Sequence, residues 1–285
     1  MPTTRERDPQ IQSKPMDRRD FLVSATAAGF ALAAGPVMSA TAITTPSDGL
    51  ATAQIALPVS GGELPVYLAQ PANRTRLPTV LVVQEIFGVH EYIRDVCRRL
   101  ARRGYLAMAP ELYFRQGDPS KLTSIPEVLS QIVSKVPDEQ VLADLDACAA
   151  WAAHHGGDPE RLAVTGFCWG GRIVWLYAAH NPKIKAGGAW YGKLGGPATP
   201  LTPQHPLDLA WSIRAPVLGL YGGKDAGIPL ADVAAMQEAL AGRPSRFVVY
   251  ADSGHAFHAD YRPSYNPKDA DDGWARLIEW FKTYV

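Results

Sequence analysis

The chain reads as an α/β protein with a doubly wound, mostly parallel sheet flanked by helices. Apolar β-type runs and amphipathic helical runs alternate from Thr52 to the C-terminus with short connections, which is the signature of right-handed crossover units. One run, Thr79 to Gln84, is continuously β-branched and apolar rather than alternating, as a strand covered on both faces has to be. A third stretch, Arg161 to Arg172, carries an apolar strand through Gly166-Phe167-Cys168-Trp169-Gly170 and straight into a helical pattern.

Taken in order, residues 1–42 stand apart. Met1 to Lys14 is polar and without an apolar period, and is expected to be disordered. Arg18-Arg19 then precedes a mildly apolar, Ala- and Gly-rich run from Phe21 to Ala34, and Ala40-Thr41-Ala42 supplies a small-x-small cleavage site. The pattern predicts a twin-arginine signal peptide read by the export machinery, cleavage near Ala42, a mature chain beginning near Ile43, and a periplasmic or exported protein. The apolar run is too short for a confident membrane span, so no stable span is expected after cleavage. Residues 43–285 are expected to form one domain.

Within that domain Ile55–Val59 and Leu64–Leu68 predict a hairpin across Ser60-Gly61-Gly62. A helix with Ile93, Val96, Cys97 and Leu100 on one face closes at Gly104. Tyr105–Ala109 predicts a strand, Ile125 to Val133 a short capping helix, and Asp138–His155 a long periodic helix. Strands at Leu162–Phe167, Lys185–Tyr191, Pro216–Tyr221 and Arg246–Tyr250 alternate with helices at Leu230–Leu240 and Asp269–Tyr284.

Charge is balanced, with 28 basic and 28 acidic residues, so no global field draws the chain to nucleic acid or an anionic membrane. Three cysteines, Cys97, Cys148 and Cys168, make neither a disulfide framework nor a zinc spacing. The first two fall in apolar helical surroundings and predict buried, inert thiols.

Cys168 differs. Glycines two before and two after it permit the strained strand-to-helix turn known as a nucleophile elbow, and the following helix N-terminus favours thiolate over thiol. In a sheet of this kind the acid and the histidine follow the nucleophile in chain order, each at a strand's carboxyl end. Asp225, in the turn after Pro216–Tyr221, is the expected acid, with Asp252 as its rival. His255, after Arg246–Tyr250, is the expected base. The oxyanion donors are then the backbone N–H groups of Trp169 and Ile86. Glu85 is an unusual carboxylate at the end of an apolar strand. No metal or other cofactor is expected; a metal held by His255, His258 and Asp252 or Asp260 is the weaker reading, and Cys168-Trp169-Gly170-Gly171 lacks the second thiol of a redox pair. A binding protein on the same scaffold with an idle triad is a further alternative.

Gln84-Glu85-Ile86-Phe87-Gly88-Val89, Ala109-Pro110-Glu111-Leu112-Tyr113, Gly166-Phe167-Cys168-Trp169-Gly170-Gly171, Gly223-Lys224-Asp225 and Gly254-His255-Ala256-Phe257, in this order, resemble the dienelactone hydrolase (carboxymethylenebutenolidase-like) family of the α/β-hydrolase fold. The resemblance implies a hydrolase that cleaves a small ester or lactone through a Cys168–His255–Asp225 triad and an acyl-enzyme. It also implies that Glu85 couples to the thiol and that Tyr191, Phe87 and His258 line the pocket. His258 stands where relatives acting on dienelactone carry Arg, and Gly117–Pro137 has no Arg and no aromatic residue. Arg115, Arg172 and Arg262 are the candidates to replace that charge.

Overall fold

The computed structural model describes residues 42–285. The predicted signal peptide and its cleavage site, apart from Ala42, lie outside the described residues. Eight strands form one sheet in the order β1-β2-β4-β3-β5-β6-β7-β8. β1 (Leu50–Val59) and β2 (Gly62–Pro71) make the expected hairpin, and β2 lies antiparallel to β4 (Leu106–Pro110). From β4 onward every pairing is parallel, through β3 (Leu77–Val83), β5 (Gly157–Phe167), β6 (Ile184–Trp190), β7 (Val217–Gly222) and β8 (Arg246–Tyr250). This is the doubly wound architecture the alternation predicts, with an antiparallel hairpin on one edge.

The helices are α1 (Glu91–Arg102), α2 (Ile125–Gln131), α3 (Asp138–His154), α4 (Trp169–His180), the single turn α5 (Pro206–Leu209), α6 (Leu230–Ala239) and α7 (Pro267–Tyr284). Successive residues of a strand face opposite sides. At the sheet's centre this is visible in β6: a β-carbon on Gly187 would meet Val174 of α4, and one on Gly188 would meet Leu277 of α7. Helices α4 and α7 therefore cover opposite faces. The capping helix α2 forms because Ser124 and Glu127 close a capping box at its start, and it docks through Val128 and the following Ile132.

Two strands exceed their apolar runs. β5 starts at Gly157 rather than Leu162, because Leu77 pairs with Gly157 before the register shifts. β1 starts at Leu50, extended by pairing from Leu50↔Pro71 onward although Ala51 to Gln54 face solvent. Here ladder hydrogen bonds, rather than burial, define the strand.

Ahead of β1 a strap follows α1. The Thr45 N–H donates to Asp95 Oδ1 at 2.5 Å and Arg98 Nε donates to the Thr45 carbonyl at 3.0 Å. One turn further along, Arg102 Nη2 donates to the Pro46 carbonyl at 2.8 Å. Asp95 also receives Arg98 and Arg99, and Arg99 reaches Asp260 in the loop after β8. The strap is thus tied into a buried ionic cluster.

Candidate active site

Parallel register brings the predicted residues to one edge of the sheet. Val83 is level with Gly166, so Glu85 and Cys168 each follow two residues on, from the adjacent ends of β3 and β5. Phe167 is level with Trp190, and the Cys168 N–H donates to the Trp190 carbonyl at 3.0 Å, which sets Tyr191 beside Cys168 on the other flank. At such an edge the strands have ended and the backbone is free to turn.

Cys168 has φ 56°, a left-handed conformation that costs a non-glycine residue on the order of 1–3 kcal/mol. The surrounding glycines hold it there. A β-carbon on Gly166 would lie 2.4 Å from the Gly170 carbonyl oxygen, and one on Gly170 would lie 2.5 Å from both the Val83 and Gln84 carbonyl oxygens. Helix α4 is therefore pressed against the end of β3. Trp169, its first residue, and Ile86, two residues beyond Gln84, belong to these two touching segments.

Asp225 and His255 come together from the ends of β7 and β8. The His255 Nδ1–H donates to Asp225 Oδ2 at 2.7 Å, with both side chains buried. Asp225 Oδ1 accepts the Gly227 N–H at 2.8 Å, which fixes the carboxylate's orientation. Burial opposes a charge on the imidazole, but neighbouring Cys168 and the Asp225 carboxylate outweigh it and raise the His255 pKa to about 10. The rival acid Asp252 is 84% exposed and pairs with Lys224 at 2.8 Å. The Tyr191 ring meets His255 edge-on at 5.2 Å.

Glu85 is wholly buried. The Tyr261 hydroxyl donates to its Oε2 at 2.5 Å, and His90 Nε2 lies 3.5 Å from the same oxygen. Burial acts to raise its pKa, yet the Arg262 guanidinium, His90 and Tyr261 bring it down to about 2, so the carboxylate is ionised. Of the three candidate arginines only Arg262 is here, stacked over Phe87 at 4.7 Å. Arg115 is paired with Asp144 and Arg172 with Asp138, away from the thiol.

His258 corrects the expectation of a pocket-wall residue. Only 2% exposed, it is hydrogen-bonded through Nδ1 to Tyr92 Oη at 2.6 Å and packed among Phe167, Trp190 and Trp274. Burial, aided by Arg99, pushes its pKa down to about 3, so it is a neutral member of the aromatic core behind the site. Ala256 between the two histidines has φ 61°, and this kink separates their directions. The four residues of the metal reading consequently face different partners: His255 meets Asp225, His258 meets Tyr92, Asp260 meets Arg99 and Asp252 meets Lys224. Cys97 and Cys148 are buried in α1 and α3, where burial pushes both thiols up. Sequence reasoning missed Tyr261, His90, Tyr92 and Tyr113; the Tyr113 ring packs 4.9 Å from Trp169, and only its place in the Ala-Pro-Glu-Leu-Tyr block hinted at it.

Residues 64–285 match the profile of the dienelactone hydrolase family. A protein of Methylorubrum extorquens, provisionally named carboxymethylenebutenolidase, is 56% identical over 272 residues, covering 94% of this chain and 94% of its own length. A protein of Escherichia coli with the same provisional name is 56% identical over 259 residues, 90% of this chain and 95% of its own. The crystal structure of a provisionally named dienelactone hydrolase from Klebsiella pneumoniae is 57% identical, superposes with a TM-score of 0.81, and covers 82% of this chain and 99% of its own. The buried carboxylate, elbow cysteine and histidine–aspartate pair thus sit on a chain that belongs to the dienelactone hydrolase family.

Proposed function

We propose that this family hydrolase cleaves a small ester or lactone with Cys168 as nucleophile, His255 as acid and base, and Asp225 as the group that orients and charges the imidazole. The observation that carries the reading is the buried 2.7 Å His255–Asp225 hydrogen bond beside a cysteine held at positive φ. The Cys168 sulfur attacks the carbonyl carbon, and the oxygen takes up negative charge facing the N–H groups of Trp169 and Ile86. Collapse expels the alcohol oxygen, to which His255 gives its proton, and leaves a thioester. His255 then removes a proton from water, the hydroxide attacks, and the acid departs with the thiolate restored. Glu85, at the strand end adjacent to that of Cys168, couples to the thiol: an ionised carboxylate there opposes a standing negative charge on sulfur, and Arg262 moderates that opposition. Tyr191 and Phe87 form pocket walls.

The test is hydrolysis of short-chain aryl esters and of dienelactone by the protein beginning at Ile43, with Cys168→Ala alongside. Turnover that falls by several orders of magnitude in the variant supports the thiol mechanism. Near-normal turnover in Cys168→Ala refutes it.

We also infer export. Its support is the Arg18-Arg19 pair, the apolar run and the small-x-small site. Among the described residues no helix is long and apolar enough to cross a membrane. Fractionation of the native host should recover a chain beginning near Ile43 outside the cytoplasm, and Arg18→Lys with Arg19→Lys should retain the longer form inside.

A further inference from the structure

Arg94 lies one turn into α1 and one turn before Arg98, which also reaches Tyr67, but unlike Arg98 and Arg99 it takes no part in the ionic cluster around Asp95. Among the described residues its guanidinium has no ion pair and no hydrogen bond, and its Nε is buried without a partner. Its one neighbour of note is the Tyr67 ring, 5.9 Å away. A cation left in this state is costly unless water or a ligand completes it.

The guanidinium lines a cavity of about 620 Å³ between β2, the start of α1 and residues 117–121. Its walls include Tyr67, Phe87 and Phe114, which offer flat apolar surface, together with His90 and Glu111. Of the acids in the wall, Glu111 accepts the Val89 N–H through Oε2 at 2.8 Å while its Oε1 is buried without a partner, and burial raises its pKa toward the uncharged acid; Asp118 accepts the Ser120 N–H at 2.9 Å and pairs with Lys121. His90 is turned to Glu85. Arg94 is therefore the wall's cation without a carboxylate partner. Cys168, Asp225, His255 and Tyr191 do not line the cavity, which shares Phe87 and His90 with the surroundings of Glu85.

We propose that this cavity is a second ligand site, which takes a small organic anion with a planar apolar body: the carboxylate meets Arg94, and the ring or conjugated chain lies between Tyr67, Phe87 and Phe114. The volume is in the range that holds small-molecule ligands. A fork of N–H donors matches a carboxylate in two parallel hydrogen bonds. Aromatic walls supply the burial that a charged contact on an open surface lacks.

Benzoate is the probe, with benzyl alcohol as its uncharged counterpart, titrated calorimetrically into wild-type protein and into Cys168→Ala. Neither measurement requires turnover, so failure here is distinguishable from failure of the hydrolase reading. Benzoate is expected to bind both proteins alike and at least tenfold more tightly than benzyl alcohol. Arg94→Gln should weaken benzoate at least tenfold, and Arg94→Lys should recover part of that loss. A crystal soaked with 4-bromobenzoate locates the site whatever the variants' folding: bromine density in the cavity beside Phe87 and Phe114 supports the proposal. Equal binding of benzoate by Arg94→Gln, equal binding of the alcohol, or bromine found only beside Cys168 or nowhere overturns it.

Discussion

Replacing Asp225 with Asn preserves the side chain's size and removes its charge from a pair whose side chains are 3% and 1% exposed. Truncating one partner of a buried, hydrogen-bonded charge pair costs about 2–5 kcal/mol. At about 1.36 kcal/mol per decade, that is roughly a 30- to 5,000-fold loss of kcat/KM on an aryl ester. The pH dependence gives an independent sign. The His255 pKa is raised from 6.5 to about 10, so its protonated ring favours the folded state. That contribution is complete below pH 6.5 and is lost as pH rises through about 10. In Asp225→Asn the folded-state pKa falls, so less stability remains to be lost above neutrality. The assay is kcat/KM from pH 5 to 10 with thermal unfolding over the same range. A variant within threefold of wild type, with an unchanged alkaline decline in Tm, would refute the pairing as the source of both activity and charge.

Further outcomes are expected at neighbouring positions. Gly170→Ala places a methyl group 2.5 Å from two carbonyl oxygens of the β3 end, an overpacking that should cost about 3 kcal/mol. Thermal unfolding should then fall by roughly 6–12 °C, since about 2–4 °C accompanies each kcal/mol in a chain of this size. Arg262→Met removes the chief counter-charge of buried Glu85 and should destabilise the fold by about 3–5 kcal/mol. The Glu85 pKa is depressed from 4.5 to about 2, so its stabilisation is present above pH 4.5 and is lost as pH falls through about 2; in the variant, acid unfolding followed by circular dichroism should begin at higher pH. Asp252→Asn changes an exposed carboxylate and should leave kcat/KM within about twofold, in contrast to Asp225→Asn.

These contrasts mark what a linear sequence carries. The elbow was legible because steric demand falls on named positions: Gly166 and Gly170 abut carbonyl oxygens, and no side chain fits. The central strands were legible because buried parallel strands have a composition of their own, whereas their order in the sheet was not. Choosing between Asp225 and Asp252 was harder, since both follow strands and the one adjacent to His255 in the chain is Asp252, while Asp225 is 30 residues away; only the fold turns Asp225 inward and leaves Asp252 with Lys224. His258 shares a loop with His255 yet points into the aromatic core, because one residue at positive φ redirects the chain. The partners of Glu85 were invisible: Tyr261 lies 176 residues away and belongs to no short motif. Among three arginines, composition could not show that Arg115 and Arg172 were already bound to Asp144 and Asp138.

The strap that precedes β1 bears on how the protein can be handled. It is held by Asp95 near the beginning of α1 and by Arg102 at its end, so from Thr45 to Asp48 the chain runs from the reactive rim of the sheet toward the opposite rim. A fusion partner joined at the amino end thus emerges on the rim of the sheet that carries Cys168 and His255. Helix α7 departs from that same rim after β8 and delivers Val285 to the far side. A purification handle, fluorophore or immobilising linker belongs at the carboxyl end, and trimming the amino end beyond Thr45 would strip Asp95 of its amide and hydroxyl donors.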